Sequence, residues 1–262
     1  MALSSEIKNQ IAELLCSTVR EKLRTYKPET VNMPFHHRLL GKDRYAMFSF
    51  MQSMNTTFGI SIWEQVAVIL GKGAGAYAEK QYKLLGEIDS QTEKLVTDMH
   101  YKLRKGEIIA NKIDEVRQIK NIIKKGEAKI DPDSVVDLFL KIKEEENYFD
   151  ITSAKPNMKE FVALKLKLLR WIALRLSQDQ KAKIITRLAI PYNPYHPESY
   201  ERWTLKGLYD LEKGEILVGE EFWNFVARDN IYEELLDVFQ EVGEKLRVEV
   251  DRKFAEFRKA KF

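Results

Sequence analysis

Two carboxylates carry the chemistry that this sequence invites. Asp137 lies inside the apolar run Val135-Val-Asp-Leu-Phe-Leu140, and Asp150 lies inside Tyr148-Phe-Asp-Ile151. An unpaired buried carboxylate is strongly destabilising, so one in each of two apolar segments calls for a compensating partner. The segments read as two strands joined by a charged turn. Directly opposed residues of an antiparallel pair have an even number of residues between them, and the stretch from Leu138 to Phe149 is even. A four-residue turn at Lys143-Glu-Glu-Glu146 sets that register. The two Cβ atoms then lie about 5 Å apart on one face, which Thr152 shares because strand side chains repeat with period two. Bare carboxylates at that spacing repel and hold a proton. A divalent cation between them removes the repulsion and provides a Lewis acid. The same count also allows a hairpin with both acids in solvent. Against that stands the segment after Asp150, a polar tract containing Lys155 and then a strong helix start.

The elements that would position these residues can be read from periodicity. Ser4 or Ser5 caps a first helix to about Tyr26, with Ile7, Ile11, Leu14, Leu15, Val19 and Leu23 as its apolar stripe. Further helices are expected from about Lys42 to Asn55, from Ser61 to Leu70, and over Tyr77 to Lys125 with breaks at Gly86 and Gly106. The cluster Gly71-Lys-Gly-Ala-Gly75 is no phosphate loop, because no strand precedes it and the Gly-Lys-Ser/Thr ending is absent. After the two acidic strands, Asn157 and Glu160 form a capping-box pair for a helix from Met158 to Leu176. Lys159, Lys165 and Lys167 near its start suit either a phosphate backbone or solvent. Lys183–Ile190 and Ile216–Val218 read as strands, separated by the loop Pro191-Tyr-Asn-Pro-Tyr-His-Pro197. Glu220 onward reads as one helix. Helices, then strands, then helices predict an α/β (α+β) fold, a small mixed sheet flanked by helices. The expected organisation is a mostly helical region over 1–125, for DNA contact or dimerisation, and a core with a C-terminal helix over 126–262. One continuous domain is the alternative.

Composition narrows the class. At 262 residues and 44% hydrophobic the chain can bury a sizeable core. Charged residues reach 32%, with Lys and Glu in excess, but the net charge is only +3, so any basic surface must come from distribution. Cys16 is the single cysteine and sits in an apolar helix stripe, which predicts a buried thiol and excludes an internal disulfide. His36, His37, His100 and His196 lack metal-ligand spacing, which argues against zinc. No leader opens the sequence and no apolar run would span a bilayer, so a cytoplasmic protein without membrane contact is expected.

The Asp137/Asp150 pair with a following lysine resembles the PD-(D/E)xK nuclease core. Further segments are His36-His-Arg-Leu-Leu-Gly-Lys-Asp-Arg44, Phe48-Ser-Phe-Met-Gln-Ser-Met-Asn-Thr-Thr-Phe-Gly59, Ser153-Ala-Lys-Pro-Asn157, Ile190-Pro-Tyr-Asn-Pro-Tyr195, Arg202-Trp-Thr-Leu-Lys-Gly207 and Gly219-Glu-Glu-Phe-Trp-Asn224. Together they resemble the TdeIII family of type II restriction endonucleases. The resemblance spans nearly the whole chain. It implies a restriction-endonuclease-like fold and a Mg²⁺-dependent homodimer that cuts double-stranded DNA at the palindrome GGNCC. A cognate DNA methyltransferase would be its functional partner in a restriction-modification system.

The resemblance also distributes roles. Asp137 and Asp150 take the two acidic positions and, with the Ile151 carbonyl, hold the metal. Glu64 is a further metal candidate, with a plain surface helix residue as the alternative. The lysine position of the motif is occupied by Thr152, which cannot carry positive charge. Lys155 is the nearest substitute, reaching back if the strand bends, and Lys165 is a weaker one. Candidate DNA contacts are Arg38, Lys42, Arg44, Lys159, Lys165, Asn193, Arg202 and Lys206. Arg38, Lys42 and Arg44 could instead belong to a dimer interface. Two other functions stay open at this point: an inactive relative that binds DNA, with Thr152 as the cause, and a helical interaction protein without a DNA partner.

Overall fold

A computed structural model of the chain describes residues 3–28, 33–200 and 205–259. In chain order its helices are α1 (Ser5–Thr25), α2 (Pro34–Leu40), α3 (Lys42–Thr57), a π-turn over Phe58–Ile62, α4 (Trp63–Gly73), α5 (Ser90–Lys105), α6 (Lys112–Ile122), α7 (Met158–Gln178), α8 (Glu220–Ala227) and α9 (Tyr232–Lys259). The strands are β1 (Tyr77–Leu85), β2 (Ile130–Ile142), β3 (Glu145–Ile151), β4 (Lys183–Ile190) and β5 (Ile216–Val218). Two compact units result, Met1–Ile69 with Asn230–Phe262, and Leu70–Asp229. The expected α/β class with a small mixed sheet and many helices is what forms.

The first unit is helical. Ser4 caps α1 by accepting from the Ile7 N–H, which satisfies an amide that the helix cannot. Ile11, Leu15, Cys16 and Leu23 are buried along one stripe of α1. Phe50 meets Tyr26 edge-on at 5.2 Å and Phe254 at 5.7 Å, so aromatic contacts tie α3 to the end of α1 and to α9.

The second unit holds the sheet, in the order β1-β2-β3-β4-β5. β1, β2 and β3 pair antiparallel; β3, β4 and β5 pair parallel. A parallel β3–β4 pair needs a long crossover, and α7 is that crossover. Its capping box forms as expected, with Asn157 Oδ1 accepting from the Glu160 N–H and the Glu160 carboxylate accepting from the Asn157 N–H. α7 is then buried on most of its circumference, including Phe161, Leu168, Leu169, Trp171, Ile172 and Leu176. Val96 and Met99 of α5 and Ile119 of α6 join this core. Glycine is required at position 86, where a Cβ would fall 2.4 Å from the Leu174 carbonyl oxygen.

Three elements differ from expectation. Tyr77–Leu85 is strand, not helix. As an edge strand it shows water an almost polar sequence, so no apolar alternation betrays it, and Lys80 and Lys83 blunt the edge. The β2–β3 turn is two residues, not four: Ile142 pairs with Glu145, leaving Lys143 (φ +56°) and Glu144. Glu145 and Glu146 join β3 instead of the turn, which keeps Asp137 opposite Asp150 as the residue count requires; a four-residue turn over 143–146 would have slid the pairing by two residues. The C-terminal helix breaks after Ala227, where Arg228 turns left-handed at φ +55°. β1, α5 and α6, placed in the expected 1–125 region, belong to the unit that holds the sheet.

Lys165 is not on a surface. Its Nζ lies 2.8 Å from Glu115 Oε1 and 2.7 Å from Glu215 Oε1, while Lys112 Nζ donates to Glu215 Oε1 at 2.6 Å. All four side chains are buried. Burial alone would raise the Glu215 carboxyl, but Lys112 and Lys165 together hold it below the usual carboxylate range. This neutral quartet ties α6, α7 and the segment before β5 together. Removing one cation leaves a glutamate charged and uncompensated in the core. Lys165→Met is therefore expected to destabilise the fold by about 3–5 kcal/mol in urea unfolding; a loss under about 1 kcal/mol would contradict the buried quartet.

Candidate active site

Leu138 pairs with Phe149, and the same register places Asp137 directly opposite Asp150 at the end of the β2–β3 ladder. With period two along each strand, both acids share a face with Phe139 and Tyr148, whose rings meet at 4.9 Å. That face packs on α7. The opposite face carries Leu138, Leu140 and Phe149, and Phe149 meets Phe222 and Phe225 of α8 at 5.7 and 5.8 Å. The expected opposition of the two carboxylates on one covered face is thus what the strands build.

Each acid has its own partners. Asp137 Oδ2 accepts from the Ile151 N–H at 2.7 Å, and its Oδ1 lies 3.5 Å from Gln81 Nε2. Asp150 is buried and its Oδ2 accepts from Lys167 Nζ at 2.5 Å. Burial, and next the neighbouring Asp150 charge, push the Asp137 carboxyl up to about 6. The Thr152 N–H donates to the Ala189 carbonyl across the β3–β4 ladder. Alternate residues of a strand direct their amides to alternate sides, so the Ile151 N–H and carbonyl face the β2 side, where Asp137 stands.

Hard oxygen donors of this kind suit Mg²⁺. The raised Asp137 carboxyl shows that the cost of its burial, and next the repulsion within the pair, are not fully relieved by protein groups, which is the situation a divalent cation resolves. Among the described residues no group of three or more His, Cys, Asp or Glu side chains is arranged to hold a metal. A two-carboxylate site is enough for an ion that keeps several waters and takes further oxygens from a phosphate.

The other candidates scatter. Lys155 is exposed and its Nζ lies 5.0 Å from the centre of the Tyr195 ring. Thr152 is half-buried at the end of β3. Glu64 is buried in the first turn of α4, within the first unit. Arg38, Lys42 and Arg44 are exposed on α2 and α3 of the first unit, with Arg44 Nη1 donating to the Leu40 carbonyl. Lys159 is exposed in the first turn of α7, and Lys206 is exposed ahead of Tyr209. The Asn193 side chain is engaged within its own loop, donating to the Glu198 carbonyl at 2.7 Å and accepting from the Tyr195 N–H at 3.0 Å. Arg202 lies outside the described residues. Spacing along the chain offered Lys167 only as a phosphate-backbone or solvated lysine and missed its place beside the acidic pair, because it is presented by the helix packed on β3 and not by the strand itself. Its sequence signal is the stripe Lys167, Trp171, Arg175, at the four-residue spacing that places all three on one face of the helix.

A family model described as "Type II restriction endonuclease, HinfI" matches residues 2–243. Type II restriction enzyme HgiEI of Herpetosiphon aurantiacus is 24% identical, over 97% of this chain and 99% of its own. HgiBI from the same organism is 23% identical over the same shares, and HgiCII is 24% identical over 84% of this chain and 81% of its own.

The Asp137 carboxyl titrates above its unfolded value, so the stability it contributes is complete below about pH 4 and is lost as pH rises through about 6. Asp137→Asn, which can still accept from the Ile151 N–H, is therefore expected to be more stable than the parent at pH 8 by about 1–3 kcal/mol. The two should converge at pH 4. Thermal unfolding at both pH values checks this; an Asn variant less stable at pH 8 would refute the unrelieved repulsion.

Proposed function

The chain belongs to the HinfI family of type II restriction endonucleases, and from that premise we propose that it hydrolyses phosphodiester bonds of double-stranded DNA at a short palindrome, with Mg²⁺ held by Asp137 and Asp150. The observation that carries this reading is the direct opposition of the two carboxylates at the open end of a strand pair, on a face otherwise buried. The Ile151 carbonyl, directed to the same side, is the third protein donor. This arrangement follows the PD-(D/E)xK pattern in its acids and departs from it at Thr152. When bound, the metal supplies charge relief at the phosphate as a Lewis acid. The chain's own part is to fix the pair: the Ile151 N–H orients Asp137, and the ladder holds Asp150 across from it.

The target sequence suggested by the TdeIII-like motifs is GGNCC. Reading it requires donors to guanine O6 and N7 and acceptors for cytosine N4 in the major groove. Two-fold symmetric DNA with one acidic pair per chain implies a homodimer, one copy per strand. A cognate methyltransferase would protect host DNA at the same site. Among the described residues no helix is long and apolar enough to cross a membrane. Exposed Lys159 and Lys206 of the second unit, and Arg38, Lys42 and Arg44 of the first, are the proposed phosphate contacts.

A digest of two linear duplexes, one with several GGNCC sites and one with none, tests this. Discrete fragments from the first alone, in Mg²⁺ and not with chelator, are expected. Asp150→Asn should lose cutting while still binding the duplex in a gel-shift assay. Uncut DNA in both Mg²⁺ and Mn²⁺ would point to an inactive DNA-binding relative, and unchanged cutting by Asp150→Asn would remove the assigned site.

A further inference from the structure

Given the endonuclease reading above, on which this assignment rests, we infer that Lys167 is the catalytic lysine of the site, presented across the sheet face by α7 in place of the strand residue at Thr152. Among the described residues, Lys167 is a cation in direct contact with the acidic pair, with Nζ 2.5 Å from Asp150 Oδ2. Its side chain is 27% exposed while that of Asp150 is 8% exposed. The ammonium thus stands between the buried acid and the open side from which a substrate would approach. An ammonium has three donors; one serves Asp150, and the others are available to a water or a phosphate oxygen. The Trp171 ring, one turn along α7, lies beneath it, with its centre 5.0 Å from Nζ.

The position of Lys167 is enforced and not incidental. Two turns along the same stripe, Arg175 grips Glu146 with Nε–Oε2 at 2.6 Å and Nη2–Oε1 at 2.9 Å. Glu146 and Asp150 share one face of β3, four residues apart, a rise of about 13 Å. Lys167 and Arg175 are eight residues apart on α7, a rise of about 12 Å. The two ion pairs are therefore in register, and each holds the other in place. Helix rotation is fixed as well. Lys165, about 200° away around α7, is locked in the buried quartet with Glu115 and Glu215. That leaves Lys167 facing the pair.

In the reaction, the water oxygen forms a new bond to phosphorus and the P–O3′ bond breaks. The attacking water loses a proton to solvent, and the departing 3′-oxygen takes one up. Lys167 orients the water through one N–H and stabilises the negative charge that grows on the phosphoryl oxygens through another. Thr152, on the same strand, has no charge to offer and is not needed for this.

The test compares the parent with Lys167→Met, Lys167→Arg and Lys155→Ala, each checked for folding by circular dichroism. Single-turnover cleavage by Lys167→Met is expected to fall about 100- to 1,000-fold, while duplex affinity in Ca²⁺ changes less than threefold. Lys167→Arg, which preserves the charge and the stem, covers the case in which Met fails to fold, and should fall at least tenfold because a planar fork cannot reproduce the ammonium geometry. Calorimetric Ca²⁺ titration without DNA gives a second readout. Removing the cation beside Asp150 should tighten Ca²⁺ binding severalfold in Lys167→Met. Cleavage by both Lys167 variants within threefold of the parent, or a larger loss in Lys155→Ala than in Lys167→Met, would overturn the assignment. If the parent cuts no duplex, the endonuclease reading fails separately, and unchanged or weaker Ca²⁺ binding by Lys167→Met would then overturn the placement of Lys167.

Discussion

Two like charges held opposite each other in a sheet are the constraint on which the rest of this structure depends. Asp137 and Asp150 share one covered face, and the Asp137 carboxyl is pushed up to about 6 by burial and by its neighbour. Apolar residues at both positions would be the stabilising choice for a strand pair packed on a helix. The chain instead commits one backbone N–H, from Ile151, to one acid and one lysine, from α7, to the other. Such a local departure from optimal packing is what supports the proposal of a binding site at this pair.

α7 is the ruler that makes the pair usable. It is the crossover between two parallel strands, so its axis runs back along the strands it connects, and its rise matches theirs over two turns. One stripe carries Lys167 onto Asp150 and Arg175 onto Glu146, with the Trp171 ring under the Lys167 ammonium. Another anchors Lys165 between two buried glutamates. Charge is thereby used in two ways on one helix. The Lys112, Lys165, Glu115 and Glu215 quartet is closed and neutral, and serves to fix position. The Lys167–Asp150 pair is partly open, with donors to spare, and is suited to chemistry.

Much of this was legible in the sequence. The Asp137–Asp150 register came from an even residue count, and the capping box at Asn157 and Glu160 and the strands at Lys183–Ile190 and Ile216–Val218 stand where patterning placed them. What stayed hidden has physical causes. β1 is an edge strand whose exposed residues carry no apolar alternation. The hairpin turn is shorter than its charge run, because Glu145 and Glu146 can pair as strand while their side chains reach arginine or solvent. Lys165 looked like a DNA contact or a substitute for the motif lysine because its partners, Glu115 and Glu215, lie fifty residues away on either side. Lys167 was obscured for a similar reason: a motif spaced along one strand does not reveal a residue supplied by the helix packed upon it.

Crystals of the full chain soaked in Mn²⁺ and measured at the manganese edge would test the central claim most directly. The expected result is an anomalous peak between Asp137 and Asp150, within about 2.0–2.5 Å of an oxygen from each, with Lys167 retained at the edge of the site. Well-ordered, metal-free carboxylates at saturating Mn²⁺, or a peak bound to other residues alone, would contradict it.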